Sequence, residues 1–426
     1  MKSWGGLWPA ICQRENLFEA ARRARRGKRG RESCAEFEFH LESRVLEIER
    51  DLKEQRFSFG PYRQFEVREP KPRNISAAPY RDRVIHHAIM GVIEPLADRS
   101  FIADSYACRV GKGTHRALTA CKRLVRRGQY VLKADIRHYF ATIDHAILRD
   151  LLHRRFRDRT LLRCLGAILA SYQSGPEEYR ACRDDDLFSV GRPRGIPIGN
   201  LTSQFFANFY LDGLDHFIQE DLRWRGYLRY MDDFVLFSDD KHELACAQRA
   251  ITAWLEERRR LHLHPRKTRV FPVRVGVPFV GFRVFPDRTR LDARAGRRFV
   301  RKLRRLERRR VTGEVTRARV QRAVDGWLGH ARYGSTAGLV KRILGETGVR
   351  RVICRVQLWC GGDLLLPRGS DRPTRPGSSR RLLQQQQRQQ QPSVRQPQQQ
   401  QQPEQPQQLY RLSLCENPSG PSREVR

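Results

Sequence analysis

Two hydrophobic periods run through the chain. Strand-forming residues come in short runs: VLKADI (Val131 to Ile136), the YLRY and FVLF that flank Met231-Asp232-Asp233, and VPFVGFRVF (Val277 to Phe285). Val, Ile, Phe and Tyr suit a pleated, half-buried surface, and each run has the length of a strand. Elsewhere apolar residues recur at helical spacing: HAILRDLLHRRF (His145 to Phe156), SQFFANFYLDGLDHFI (Ser203 to Ile218) and KHELACAQRAITAWLEERR (Lys241 to Arg259). Thr202 or Ser203 is placed to cap the second of these helices. The pattern predicts an α+β fold, with strands alternating with helices over residues 65–290. Basic helical segments flank it at 1–64 and 291–350.

The stretch YLRYMDDFVLFSDD (Tyr227 to Asp240) sets a problem, because Asp is disfavoured in strands. Flanked this way, Met231-Asp232-Asp233 reads as the tight connection of a β-hairpin with both carboxylates at its tip. An ordinary solvated turn is the alternative, since Asp is common in turns. Far upstream, Asp135 ends the VLKADI strand. One strand-end Asp and two hairpin Asp residues would put three carboxylates on one sheet. Such a trio suits two Mg²⁺ ions, which take few carboxylates and complete their shells with water and phosphate oxygens. Two ions about 3.5–4 Å apart serve an in-line displacement.

Composition supplies the substrate. The 426 residues carry 83 Lys and Arg against 47 Asp and Glu, a formal charge of +36 and a pI near 10.9. That excess points to a polyanion, most simply nucleic acid. A basic membrane-surface protein would be the other reading, but no long apolar span accompanies the charge, and the first twenty residues lack the apolar core of a signal peptide. A cytoplasmic location without membrane partners is the expectation. The ten cysteines include no CxxC pair, so buried free thiols are expected rather than a zinc or redox motif. The arginine-rich ARRARRGKRGRES (Ala21 to Ser33) reads as a solvated face, a flexible arm or a phosphate-tracking segment. From residue 351 to 426 the chain turns Gln- and Pro-rich and is expected to be disordered.

Together these motifs identify a resemblance. Over roughly residues 65–345 the sequence resembles reverse transcriptases of bacterial retroelements, encoded by bacteria or phages. The motifs occur in the family's order: APYRDRVIHHAI (Ala78 to Ile89), ADIRHYFATIDH around Asp135, GIPIGNLTSQFFANFYL (Gly195 to Leu211), RYMDDFVLF, LHLHPRKTR (Leu261 to Arg269) and PFVGFRVF. The resemblance implies a right-hand polymerase fold of fingers, palm and α-helical thumb. It implies that Asp135, Asp232 and Asp233 hold two Mg²⁺ ions, with the Ile136 carbonyl as a further ligand. Lys267 would protonate the leaving pyrophosphate, and Phe140 would exclude a 2′-hydroxyl unless it is simply a core aromatic. Arg73 would clamp the triphosphate, with Lys71 or Arg81 as weaker candidates. Gly281 would mark the primer grip. The implied partners are a template RNA, a DNA primer or cDNA, and deoxynucleoside triphosphates.

One departure narrows the resemblance. Most reverse transcriptases carry Gln before the Gly of the template-helix motif and Pro after its Ser. Here the order is Ile198-Gly199-Asn200-Leu201-Thr202-Ser203-Gln204, similar to reverse transcriptases of diversity-generating retroelements. That subtype implies error-prone copying of template adenines and a small basic accessory protein. An apolar Ile198 offers the incoming nucleotide no hydrogen bond, and hydrogen-bonding sites reject wrong partners far more strongly than apolar ones. The tail is compatible with the same subtype. Sixteen of the residues from Gln384 to Gln408 are Gln, and CAA codons read one nucleotide later become AAC, an Asn-rich template-like frame. A plain polyglutamine tail is the alternative. A faithful retron or group II type enzyme and a non-catalytic RNA-binding scaffold are the rival functions.

Overall fold

The computed structural model describes residues 3–67, 72–172, 174 and 191–346, all within one compact unit, Met1–Thr347. The Gln-rich tail and Lys71 lie outside the described residues.

The chain opens with four helices, α1 (Trp8–Cys12), α2 (Arg14–Arg25), α3 (Glu32–Phe39) and α4 (Leu41–Lys53). A two-stranded antiparallel sheet, β1 (Arg63–Val67) and β2 (Arg73–Ala77), leads into the long helix α5 (Tyr80–Asp98). In α2, Leu17, Ala20, Ala21 and Ala24 are buried, the i, i+3, i+4, i+7 stripe of an amphipathic helix. They share one core with Ile85, Ala88 and Ile89 of α5. Asn16 ties the two helices by donating to the Ala88 carbonyl at 3.1 Å. The arginine-rich run therefore divides: its alanines face the core and most of its basic residues face solvent.

After α6 (Thr114–Val125) comes the central sheet. β3 (Tyr130–Asp135) precedes helices α7 (Tyr139–Thr142), α8 (His145–Arg155), α9 (Arg159–Ala170) and α10 (Leu201–His216). The hairpin β4 (Tyr227–Tyr230) and β5 (Asp233–Ser238) is followed by α11 (Lys241–Arg259) and β6 (Arg269–Pro272). The four strands form one antiparallel sheet in the order β4-β5-β3-β6. Successive strand residues point to opposite faces, and both faces are covered. Leu132, Ala134, Phe234 and Leu236 enter the large core, which also takes in residues of α8, α10 and α11. Val131, Val235 and Phe237 enter a second core shared with α6 and a three-stranded sheet, β7 (Val277–Phe279), β8 (Phe282–Val284) and β9 (Thr289–Leu291).

Three basic helices complete the unit: α12 (Ala293–Val311), α13 (Arg317–Ala331) and α14 (Ala337–Glu346). Phe299 of α12 stacks on Trp327 of α13 with centroids 4.3 Å apart. Tyr333 stacks on His115 of α6 at 3.6 Å, and its carbonyl accepts from Lys122 at 2.6 Å. This segment is thereby pinned to α6.

Two local expectations change. Neither Thr202 nor Ser203 caps α10; both are buried inside its first turn. Asn200 occupies the cap position, but its amide is committed to β2, donating to Ser76 O at 2.9 Å and accepting from Ala78 N at 3.3 Å. The tertiary partner wins over the local cap. Cys12, Cys34, Cys121 and Cys164 are buried thiols, whereas Cys108 is exposed. Burial pushes the thiols of Cys12 and Cys121 up to about 11 and about 12. Among the described residues, no helix is long and apolar enough to cross a membrane.

If α2 is a core element, Leu17→Ala should lower the unfolding free energy by about 2–5 kcal/mol, within a single cooperative transition. Urea denaturation followed by circular dichroism checks this. A nearly neutral change would make the N-terminal helices a peripheral arm.

Candidate active site

The antiparallel register decides where the carboxylates sit. β3 pairs with β5 so that Asp135 stands opposite Asp233, and β4 pairs with β5 so that Tyr230 stands opposite Asp233. Met231 and Asp232 are thus the two residues of the hairpin loop, and Asp233 already belongs to β5. Met231 has φ +61°, the left-handed sign that two-residue hairpin loops require and that side chains other than Gly resist. Two contacts hold it there. Ile136 N donates to the Asp232 carbonyl at 3.2 Å, stitching the loop to the end of β3. Arg229 Nη1 donates to the Met231 carbonyl at 2.9 Å.

Arg229 and its partner Asp215 are both 0% exposed. Arg229 Nε and Nη2 donate to the two Asp215 oxygens at 2.7 and 2.6 Å, and Tyr227 OH donates to Oδ1 at 2.6 Å. Burial disfavours the guanidinium charge, but Asp215 outweighs it and holds the proton more tightly than usual. A bidentate pair of this kind fixes orientation as well as charge.

The carboxylates are not left bare. Lys267 Nζ donates to Asp135 at 2.6 Å, and Lys133 on β3 is ion-paired with Asp233. Burial raises the pKa of Asp233, opposed by Lys133. Asp232 is pushed up to about 6 by burial and then by the charge of Asp135. Among the described residues no three His, Cys, Asp or Glu side chains form a ready metal cage. The donor set still fits hard divalent cations: carboxylate oxygens crowd at one end of the sheet, and the negative charge is large enough to draw in two ammonium groups.

Phe140 and Ile198 are linked through backbone hydrogen bonds. The backbone of residues 195–198 crosses from one to the next: Gly195 N donates to Ile143 O at 2.9 Å, Ile196 N to Phe140 O at 2.8 Å, and Ser76 N to Ile198 O at 3.1 Å. Phe140, Ile198 and the first turn of α10, with Gln204, are therefore carried by one connected segment, and all three side chains are half-buried. Tyr139 takes the core position beside Phe140, its hydroxyl donating to Ala207 O at 2.5 Å. Arg73 opens β2 and is exposed. The Arg81 guanidinium donates to Asp51 at 2.6 Å and to Ser58 O at 3.3 Å. Gly281 (φ +85°) turns β7 into β8, and its carbonyl accepts from Asp292 N at 3.0 Å. The Phe279 ring of β7 lies 5.9 Å from Lys133 Nζ, so this sheet reaches the carboxylates through Lys133.

The reverse transcriptase (RNA-dependent DNA polymerase) family profile matches residues 66–284. The chain belongs to the reverse transcriptase family. Its matched span runs from β1 to β8 and includes every sequence-predicted site residue described above. The chain is 24% identical to the protein YkfC of Escherichia coli K12 over 257 residues, 52% of this chain and 65% of that protein. It is 25% identical to a putative COX1/OXI3 intron 2 protein of Saccharomyces cerevisiae over 182 residues, 42% of this chain and 20% of the relative. It is 24% identical to the group II intron-encoded protein LtrA of Lactococcus lactis subsp. cremoris over 181 residues, 42% of this chain and 28% of LtrA. The matches thus span less than two thirds of each of these relatives.

Sequence reading missed Lys133, Arg229 and Asp215. The signal for the first two was a basic residue inside an apolar strand, VLKADI and YLRY, where an unpaired charge would be costly.

The raised Asp232 pKa has a testable sign. A carboxyl whose folded pKa lies above its unfolded value binds more protons when folded. Its contribution favours folding at low pH and is lost as pH rises through about 6. Without divalent metal, Asp232→Asn should melt higher than the parent at neutral pH, and the difference should vanish towards about pH 4. Thermal melts across that range check it. Equal melting temperatures throughout would remove the charge strain.

Proposed function

We propose that the chain is an RNA-directed DNA polymerase that copies a template RNA into cDNA from deoxynucleoside triphosphates. The observation that carries this reading is the register pair Asp135–Asp233 with Asp232 in the adjoining turn, in a member of the reverse transcriptase family. Asp135, Asp232 and Asp233, with the Ile136 carbonyl, would hold two Mg²⁺ ions. Bound there, the ions would supply activation of the primer hydroxyl and stabilisation of the leaving oxygen. Lys267, next to Asp135, is positioned to pass a proton to the departing pyrophosphate. Phe140 screens the sugar, Arg73 meets the triphosphate, and Gly281 lets the primer backbone approach. Residues 65–290 act as fingers and palm, and 291–350 as thumb.

Within this activity, the proposed subtype is mutagenic copying of template adenines in a diversity-generating retroelement, with a small basic accessory protein. It is supported by Ile198 and Gln204, which replace the residues that usually surround the nascent pair. Similarity to LtrA favours a second reading, a faithful enzyme of the group II type.

Asp135→Ala or Asp232→Ala should abolish primer extension while leaving RNA affinity nearly intact, since phosphate contacts are spread over many basic residues. Extension surviving in both variants would overturn the two-metal assignment.

Fidelity separates the subtypes. Purified protein, with its accessory partner where one is required, should misincorporate opposite template adenine far more than opposite other bases. Ile198→Gln restores a hydrogen-bonding side chain worth about 0.5–1.5 kcal/mol, roughly two- to tenfold in error frequency. Sequencing cDNA made on one defined RNA by both versions measures this. Equal, low error rates at all four template bases in the parent would select the faithful reading.

A further inference from the structure

Lys133 is costly where it stands. It lies on β3, an inner strand of the order β4-β5-β3-β6, opposite Val235 on one side and Arg269 on the other. Its neighbours Leu132 and Ala134 are fully buried, and its own side chain is only 15% exposed. An ammonium group held this far from water persists only where other groups compensate it. Lys267 shows what simple compensation requires: it pairs with Asp135 from a turn, with its side chain 44% exposed. Lys133 pairs with Asp233 from inside the sheet, and that position gives it further neighbours. The Phe279 ring centroid lies 5.9 Å from its Nζ, at the outer limit of the roughly 6 Å range of a cation–π contact. Cys121 of α6, fully buried, lies close enough for the charges of both Lys133 and Asp233 to act on its thiol.

Phe279 carries that contact into a strained turn. β7 and β8 pair so that Phe279 stands opposite Phe282, which leaves Val280 and Gly281 as the two loop residues. Both have positive φ, +42° and +85°. Gly tolerates this, but a β-branched residue there is an outlier that its surroundings have to hold in place. The strands themselves supply little, since each has three residues and short hairpins are marginal alone. Side chains therefore decide where the turn sits. Phe279 and Phe282 are buried in the second core, and Val280 packs against it. Asp292 N donates to the Gly281 carbonyl at 3.0 Å, and the His330 ring of α13 lies 4.6 Å from that of Phe282.

We propose that Lys133 is a positioning residue: through Phe279 it holds the Val280–Gly281 turn in place relative to the Asp233 carboxylate, and so aligns the primer end with the reacting centre. One ammonium group serves two partners, a carboxylate by charge and an aromatic face by its quadrupole. A role confined to neutralising Asp233 would not extend to Phe279, and that difference separates the two accounts. Methionine at position 133 keeps an unbranched apolar stem and removes the charge, whereas arginine keeps the charge. The alignment of the primer rests on the primer grip proposed at Gly281. The coupling of Lys133 to the turn does not, and it is measurable without primer or nucleotide.

The experiment compares the full chain with Lys133→Met, Lys133→Arg, Phe279→Leu and Lys133→Met/Phe279→Leu. Hydrogen exchange over residues 277–284 is followed on the free protein. Steady-state extension of a pre-annealed primer–template gives its KM, the deoxynucleotide KM and kcat. Loss of one charged contact in Lys133→Met should speed exchange at the turn about tenfold and raise the primer–template KM by a similar factor. The nucleotide KM and kcat should stay within about threefold of the parent. Lys133→Arg should recover most of both effects. Phe279→Leu, which leaves the ion pair intact, should shift both in the same direction and carries the test where Lys133→Met melts early. The double variant should be no worse than the more damaged single variant, because the two residues act on one path. Additive effects in the double variant would overturn the proposal, and so would unchanged exchange in Lys133→Met. Faster exchange with an unchanged primer–template KM would overturn the role at the primer end. A parent that extends no primer would sink the polymerase reading instead, and exchange would still decide the coupling.

Discussion

The active-site end of the molecule depends on one buried ion pair. Arg229 and Asp215 lie wholly out of water, where an ion pair costs a large desolvation penalty and is retained only with close geometry and extra hydrogen bonds. Here both conditions hold. The pair is bidentate, Tyr227 completes the carboxylate, and the remaining guanidinium nitrogen reaches Asn208 and the Met231 carbonyl. Met231 sits in backbone space that only over-determined residues occupy. The loop placing Asp232 between two strands thus owes its shape to a pair formed between β4 and α10. Main-chain bonds from Arg229 N to Asp104 O and from Tyr106 N to Arg229 O hold the same strand against residues 104–106.

Around this pair, positive charge has two physical roles. Lys133 and Lys267 answer the carboxylates at short range, and Lys133 also meets Phe279, so the aspartates and the β7–β9 sheet share one side chain. Among the described residues, Arg26, Lys28, Arg29 and Arg31 of the α2–α3 loop make no ion pair. The first arrangement orders a site from within, and the second leaves most of its charge facing solvent. A formal charge of +36 describes both and distinguishes neither.

Much of the fold was legible because it rests on local periodicity. The helix from Lys241 to Arg259 and the strands of VPFVGFRVF fall where the pattern puts them. Alternation along VLKADI reflects a sheet with two covered faces, which is why both Val131 and Leu132 are apolar and buried. The N-terminal arginine run was less legible. Its composition suggests solvent, yet the i, i+3, i+4, i+7 spacing of Leu17 and three alanines sets a helix against α5. The cap of α10 was misread because Asn200 serves β2 instead of its own helix.

By itself the sequence pointed to most of the elements, to the family and to three candidate aspartates, since these depend on residue type, spacing and motif order along one chain. Only the tertiary structure decided that Asp135 faces Asp233, that Lys133 and Lys267 answer two of the carboxylates, and that Arg229 props the Met231 turn. Lys267 and Asp135 are 132 residues apart in sequence. Local periodicity carries no information about such partners. Strand register and helix packing bring them together, and charge and burial then select which pairs persist.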